Sequence, residues 1–147
     1  MIRKFITKDI EHIMNIWLNS NIKAHNFIDK GYWLDNFEYV KDVLPKATIY
    51  VYEHNDKIVG FIGLNDSFIE GIFVKEEYQN KGIGSKLLNY VKNIYPCLSL
   101  HVYKNNIKAT KFYLSHNFKI TKEQIDESTN QLELILNYSF DTKHQKK

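Results

Sequence analysis

The sequence predicts an α+β (mixed α/β) fold, a twisted mixed sheet of about seven strands flanked by about four helices. Three observations predict it. The middle of the chain holds three consecutive strand-like runs separated by turn residues, the pattern of an antiparallel meander. A strand, an amphipathic helix and another strand come next, an order that needs a crossover and a parallel pair. The remainder switches again between helical and two-residue periods.

Ile2 to Ile6 alternates as a short strand, and Thr7 can cap the helix after it. Ile10, Ile13, Met14, Trp17 and Leu18 recur at helical spacing. A second helix is expected around Gly31 to Val43, with Tyr32, Trp33, Phe37 and Val40 as its apolar positions. Ala47 to Glu53 and Lys57 to Leu64 are rich in β-branched and aromatic residues and are joined by His54-Asn55-Asp56. A third strand, Phe68 to Val74, comes after Asn65-Asp66-Ser67. Ile83, Leu87, Leu88, Val91 and Ile94 mark one face of a helix from Gly82 to Tyr95, with Pro96 just beyond it. Cys97 to Tyr103 reads as a strand, Ile107 to Ser115 as a helix, and Phe118 to about Ile125 and Gln131 to Tyr138 as the closing strands.

The 147 residues suit a single domain over 1–140, with a solvated basic tail at 141–147. The lone cysteine, Cys97, cannot form an internal disulfide, and no apolar stretch approaches the roughly 20 residues that span a bilayer. With no signal-peptide pattern at the start, a reducing, cytoplasmic setting is expected. A net charge of +3, from 20 Lys and Arg against 17 Asp and Glu, is too small to argue for nucleic acid.

The stretch from Ile72 to Ser85 carries the chemistry. An apolar strand runs into a loop, then into Gly82 and Gly84, then into a helix. Glycine lets a backbone approach a ligand, and free N–H groups at a helix start can donate to phosphate oxygens. Lys81 adds a positive charge and the Ser85 hydroxyl another donor. These residues read as a pyrophosphate cradle or, more plainly, as a tight turn. A dinucleotide fingerprint is excluded because its third glycine position holds Leu87, and the phosphate-loop pattern G-x-x-x-x-G-K-[ST] is absent.

Gln79-x-x-Gly82-x-Gly84 resembles the coenzyme A signature of the GNAT superfamily of N-acetyltransferases, [QR]-x-x-G-x-[GA]. The run Asn106-x-x-Ala109-x-x-Phe112-Tyr113-x-x-x-x-Phe118 is similar to that family's second motif. The element order also matches, so the resemblance covers nearly the whole chain and is closest to the small single-domain bacterial enzymes. One departure is Asn117, where the family has a glycine before the phenylalanine; asparagine is the next-best residue for a left-handed helix end.

The resemblance implies a GNAT-like acyl-CoA N-acyltransferase fold, acetyl-CoA as co-substrate with no metal, and a small amine as acceptor. It implies that Ile72, Phe73 and Val74 meet the pantetheine arm. Gln79, Asn80, Lys81, Gly82, Ile83, Gly84 and Ser85 would hold the pyrophosphate, and Asn106 would lie near the arm. Tyr113 falls at the position of the family's catalytic tyrosine and is expected to protonate the departing thiolate.

A base is also needed, because an alkyl amine is largely protonated at neutral pH. Glu70 interrupts an apolar strand and, by simple alternation, shares a face with Phe68 and Ile72. A carboxylate near the middle of a sheet costs free energy unless it is paired or functional. His101, in the facing strand, is the rival base. The resemblance puts the acceptor against the first two helices, where His25, Phe27 and Trp33 are candidates, joined by Tyr50 from the hairpin. Two other readings stay open, a non-catalytic acyl-CoA-binding protein and an enzyme acting on peptides or proteins. No membrane or nucleic-acid partner is expected, and the edge strands suit a monomer or a homodimer.

Overall fold

In the computed structural model, which describes residues 1–140, the chain runs β1 (Ile2–Lys4), α1 (Ile10–Ala24), α2 (Lys30–Val43), β2 (Thr48–His54), β3 (Lys57–Asn65), β4 (Phe68–Val74), α3 (Ile83–Lys92), β5 (Cys97–Tyr103), α4 (Ile107–Ser115), β6 (Lys119–Asp126) and β7 (Gln131–Ser139). The expected basic tail lies outside the described residues. The strands form one sheet in the order β1-β2-β3-β4-β5-β7-β6. Only the β4–β5 pair is parallel, as the intervening α3 crossover demands. This is the expected mixed sheet of seven strands with four helices.

Helix boundaries differ from the sequence reading for local reasons. α2 begins earlier, at Lys30, because Asp29 caps it by accepting a hydrogen bond from the Gly31 amide at 3.0 Å. α3 ends at Lys92, short of Tyr95. The Ile94 and Tyr95 amides both donate to the Val91 carbonyl, tightening the chain before Pro96, which disfavours helical geometry in the residue before it. Asn117 has φ 69°, so it takes the left-handed turn expected of it.

The sheet separates two cores. Ile62, Leu64, Ile69, Leu100 and Leu136 pack under α3 and α4 with Leu87, Leu88 and Tyr113. Val51, Phe61 and Ile49 face the other way, against Ile13, Met14, Trp17 and Trp33 of α1 and α2. No helix among the described residues is long and apolar enough to cross a membrane.

Asp9 ties the chain's entry to this frame. Its buried carboxylate accepts hydrogen bonds from Arg3 Nη1 at 2.8 Å, Arg3 Nη2 at 3.0 Å and the Ile6 amide at 2.8 Å. The Arg3 contact holds this carboxyl below its ordinary pKa. Its contribution to stability is therefore complete above the unfolded value of about 3.9 and disappears as pH falls through the lower folded value. Asp9→Ala is expected to cost about 2–3 kcal/mol in denaturant unfolding at pH 7, with the difference from wild type shrinking at acid pH. Equal stability of the two proteins at pH 7 would show that this corner holds nothing.

Candidate active site

β4 and β5 pair at only two positions, Phe68 with Ser99 and Ile69 with Leu100. Beyond them β5 continues against β7 to Tyr103, while β4 stays paired with β3 through Val74. The β5-facing edge of Glu70 to Val74 is therefore free of a strand partner. A bulge helps to turn β4 away. Gly63 pairs with Gly71 and Leu64 with Ile69, so Glu70 is the extra residue.

The bulge corrects the expected placement of Glu70. Ile69 and Ile72, three apart, pack on the same core, so simple alternation fails here and Glu70 does not sit in an apolar surface. Its carboxylate is exposed and accepts a hydrogen bond from Asn65 Nδ2 at 2.6 Å. His101, across the apex of the opening, meets Phe68 edge-on at 5.1 Å, and its Nδ1 lies 3.5 Å from Glu133.

At the mouth, Asn80 and Gly82 both have positive φ, 64° and 82°. Their reversal presents the amides of Asn80 through Ser85, none of which meets a protein acceptor among the described residues. Orphan amides at a helix start, with the helix dipole behind them, make an anion site. Side chains brace the turn. Gln79 donates to the Val74 carbonyl at 3.0 Å and accepts from Lys108 of α4 at 3.1 Å. Lys81 lies 5.6 Å over the Tyr78 ring. A Cβ at Gly82 would meet nothing within 4 Å, whereas one at Gly84 would stand 3.4 Å from Phe112. Gly84 thus brings α3 close to α4.

The Ser85 hydroxyl is committed elsewhere, contrary to the sequence expectation of a free donor. Its Oγ lies 3.0 Å from His116 Nε2, and His116 Nδ1 lies 2.8 Å from the Phe112 carbonyl. A carbonyl only accepts, so Nδ1 carries the proton, and in the neutral ring Nε2 accepts the serine hydrogen. The Ser85 amide, not its side chain, is one of the turn's open donors. No spacing in the sequence pointed to His116.

Tyr113 is buried in α4 between Phe112 and Phe118, with ring centroids 5.3 and 5.5 Å away. Burial raises its phenol above the usual tyrosine value. The hydroxyl makes no hydrogen bond with a described residue. Asn106 caps α4, its Oδ1 accepting from the Ala109 amide at 3.2 Å, while its Nδ2 lies 3.1 Å from His25 Nε2.

The acceptor-side candidates divide. His25, Phe27 and Trp33 form one aromatic group with Tyr103: His25 stacks on Trp33 at 5.3 Å and meets Tyr103 and Phe27 edge-on. His25 and Trp33 are buried, so they back the wall, and half-buried Phe27 presents its surface. Burial pushes His25 down to about 4, with a smaller upward pull from the Asn21 carbonyl. Tyr103 donates to Asp126 at 2.6 Å, and Tyr32 meets Ser128 at 3.1 Å, which draws the β6–β7 turn over this cluster. Burial works to raise the Asp126 carboxyl, but hydrogen bonds from the Tyr103 hydroxyl and from the Ser128 amide and hydroxyl leave it below its usual value.

Tyr50 is a correction. It packs on Tyr90 at 4.8 Å beneath α3, on the sheet face opposite α1 and α2. Its neighbours Ile49 and Val51 take the α1–α2 face, so the two-residue period turns Tyr50 away. No group of three or more His, Cys, Asp or Glu that could hold a metal occurs among the described residues.

Parted parallel strands can admit an extended arm, and orphan amides at their mouth can donate to phosphate oxygens. This pairing suits the class of acyl-group transferases that draw on a coenzyme A thioester. The chain belongs to the GNAT acetyltransferase family, with residues 45–120 matching the acetyltransferase (GNAT) domain. It is 34% identical to the peptidyl-lysine N-acetyltransferase YiaC of Escherichia coli over 122 residues, covering 82% of this chain and 84% of that one. The solution structure of apo YjaB from Escherichia coli superposes with a TM-score of 0.83 at 26% identity, covering 94% of this chain and 96% of that one. The PaiA N-acetyltransferase of Thermoplasma acidophilum, solved with coenzyme A, shares the fold with a TM-score of 0.82 at 20% identity, covering 95% of this chain and 98% of that one.

Proposed function

We propose that the protein is a cytoplasmic enzyme that moves an acetyl group from acetyl-coenzyme A to a primary amine by direct attack in a ternary complex. The observation that carries this reading is the β4–β5 opening with six orphan amides, Asn80 to Ser85, at its mouth. The free edge of Ile72, Phe73 and Val74 receives the pantetheine arm. An amide on that edge stabilises the oxyanion that forms as the amine attacks the thioester. Asn106 borders the arm from the start of α4.

The acceptor is the ε-amine of a lysine in a polypeptide, the class named for YiaC, in preference to a free small amine. Such an amine has a pKa near 10.4 and must lose a proton before it attacks. Glu70 and His101 flank the apex of the opening, and either takes this proton directly or through water. Tyr113 gives its phenolic proton to the departing thiolate. Phe27 supplies apolar surface for the lysine stem, with His25 and Trp33 behind it.

The test is thiol release from acetyl-coenzyme A with lysine peptides, polyamines, free amino acids or no acceptor. Lysine peptides are expected to release thiol at least about tenfold faster than the other acceptors and to gain an N-ε-acetyl group detectable by mass spectrometry. Faster turnover of polyamines would restore the small-amine reading. Saturable binding with no release to any amine would leave a non-catalytic acyl-CoA-binding protein.

A further inference from the structure

We infer that His25 is a positioning residue for the acetyl donor, because its ring locks the Asn106 side chain at the mouth between β4 and β5. The inference rests on the proposed placement of the pantetheine arm in that mouth.

Two forced assignments carry it. The Asn106 oxygen is identified by the hydrogen bond it accepts from the Ala109 amide, so the atom facing His25 is the amide nitrogen. That nitrogen only donates, so His25 Nε2 must accept, and the ring proton sits on Nδ1. The Nδ1 atom is buried and makes no well-formed hydrogen bond, the Asn21 carbonyl giving it only a weak pull. A neutral, acceptor-only Nε2 is what this arrangement requires, and the low pKa of the buried ring maintains it through the neutral range.

The location gives the contact a use. Asn106 stands three residues beyond the end of β5, and Lys108, on the same first turn of α4, bonds Gln79 across the mouth. With its oxygen capping α4 and one amide hydrogen on His25, Asn106 has a fixed rotamer and one amide hydrogen left. That donor suits a carbonyl of the extended arm, which carries two amides. His25 is 81 residues away in sequence and belongs to the α1–α2 connection, so the acceptor wall and the donor mouth share this one hydrogen bond.

The test compares His25→Phe and His25→Gln with wild type, using acetyl-coenzyme A and ADP as calorimetric probes. ADP carries a pyrophosphate but no arm. His25→Phe is expected to weaken acetyl-coenzyme A about tenfold and leave ADP within about twofold, with a melting temperature close to wild type because phenylalanine keeps the ring packing. His25→Gln, which keeps an acceptor for Asn106, is expected to restore most of the affinity. Paired with Asn106→Ala, the loss from His25→Phe should vanish, since both changes remove the same donor geometry. Unchanged acetyl-coenzyme A affinity in a folded His25→Phe protein overturns the inference, as does an equal loss for both probes. Failure of the wild type to bind acetyl-coenzyme A would instead overturn the proposed function.

Discussion

Tyr113→Phe is expected to lower kcat by about 100-fold while leaving the Kd for acetyl-coenzyme A within about twofold of wild type. The substitution removes one oxygen and keeps the ring that packs between Phe112 and Phe118. That oxygen has no hydrogen-bond partner among the described residues, so its loss orphans nothing, and stability should stay within about 0.5 kcal/mol. Loss of a group that acts only as the thiolate departs lowers kcat and kcat/KM together. Because burial raises the phenol above its ordinary value, Tyr113 remains protonated through the neutral range and does not set a limb of the rate profile there. Steady-state rates with a saturating acceptor, beside calorimetric Kd values, check this. Wild-type turnover in the variant would remove Tyr113 from the chemistry and leave it as core.

The second large effect falls on Gly82. Gly82→Val is expected to weaken acetyl-coenzyme A by about 100-fold without unfolding the protein. A new Cβ there meets nothing within 4 Å, so no packing clash arises. The cost lies in the backbone: φ is +82°, where an L-residue pays roughly 1–2 kcal/mol and a β-branched one more. Valine relieves that strain by leaving the left-handed region, which swings the amides of the turn away from a common point. Asparagine tolerates this region, so Gly82→Asn should retain affinity within about fivefold. The ordering glycine, asparagine, valine in Kd, with similar melting temperatures, is the signature of a backbone effect. Normal affinity in a folded valine variant would mean that phosphate does not bind at this turn.

Much of this site was legible in the chain. The strand, glycine and helix order at Val74 to Gly84 depends on local chemistry, and so does the left-handed Asn117 that closes α4. Alternation in β2 told that Tyr50 opposes Ile49 and Val51, but not which face would meet α1 and α2. For Glu70, alternation misled, because an extra residue in β4 reveals itself only in the pairing with β3.

What the sequence by itself determined is the set of elements, their order and the turn that carries the orphan amides. Periods of 2 and 3.6 residues, glycine's backbone freedom and helix capping act within a few residues of chain. Only the tertiary structure decided how far β4 parts from β5, which face each aromatic side chain takes, that Ser85 serves His116, and that His25 meets Asn106. These depend on strand register and on contacts between residues far apart in sequence. Packing selects such partners from many of similar chemistry, and no local pattern records the choice.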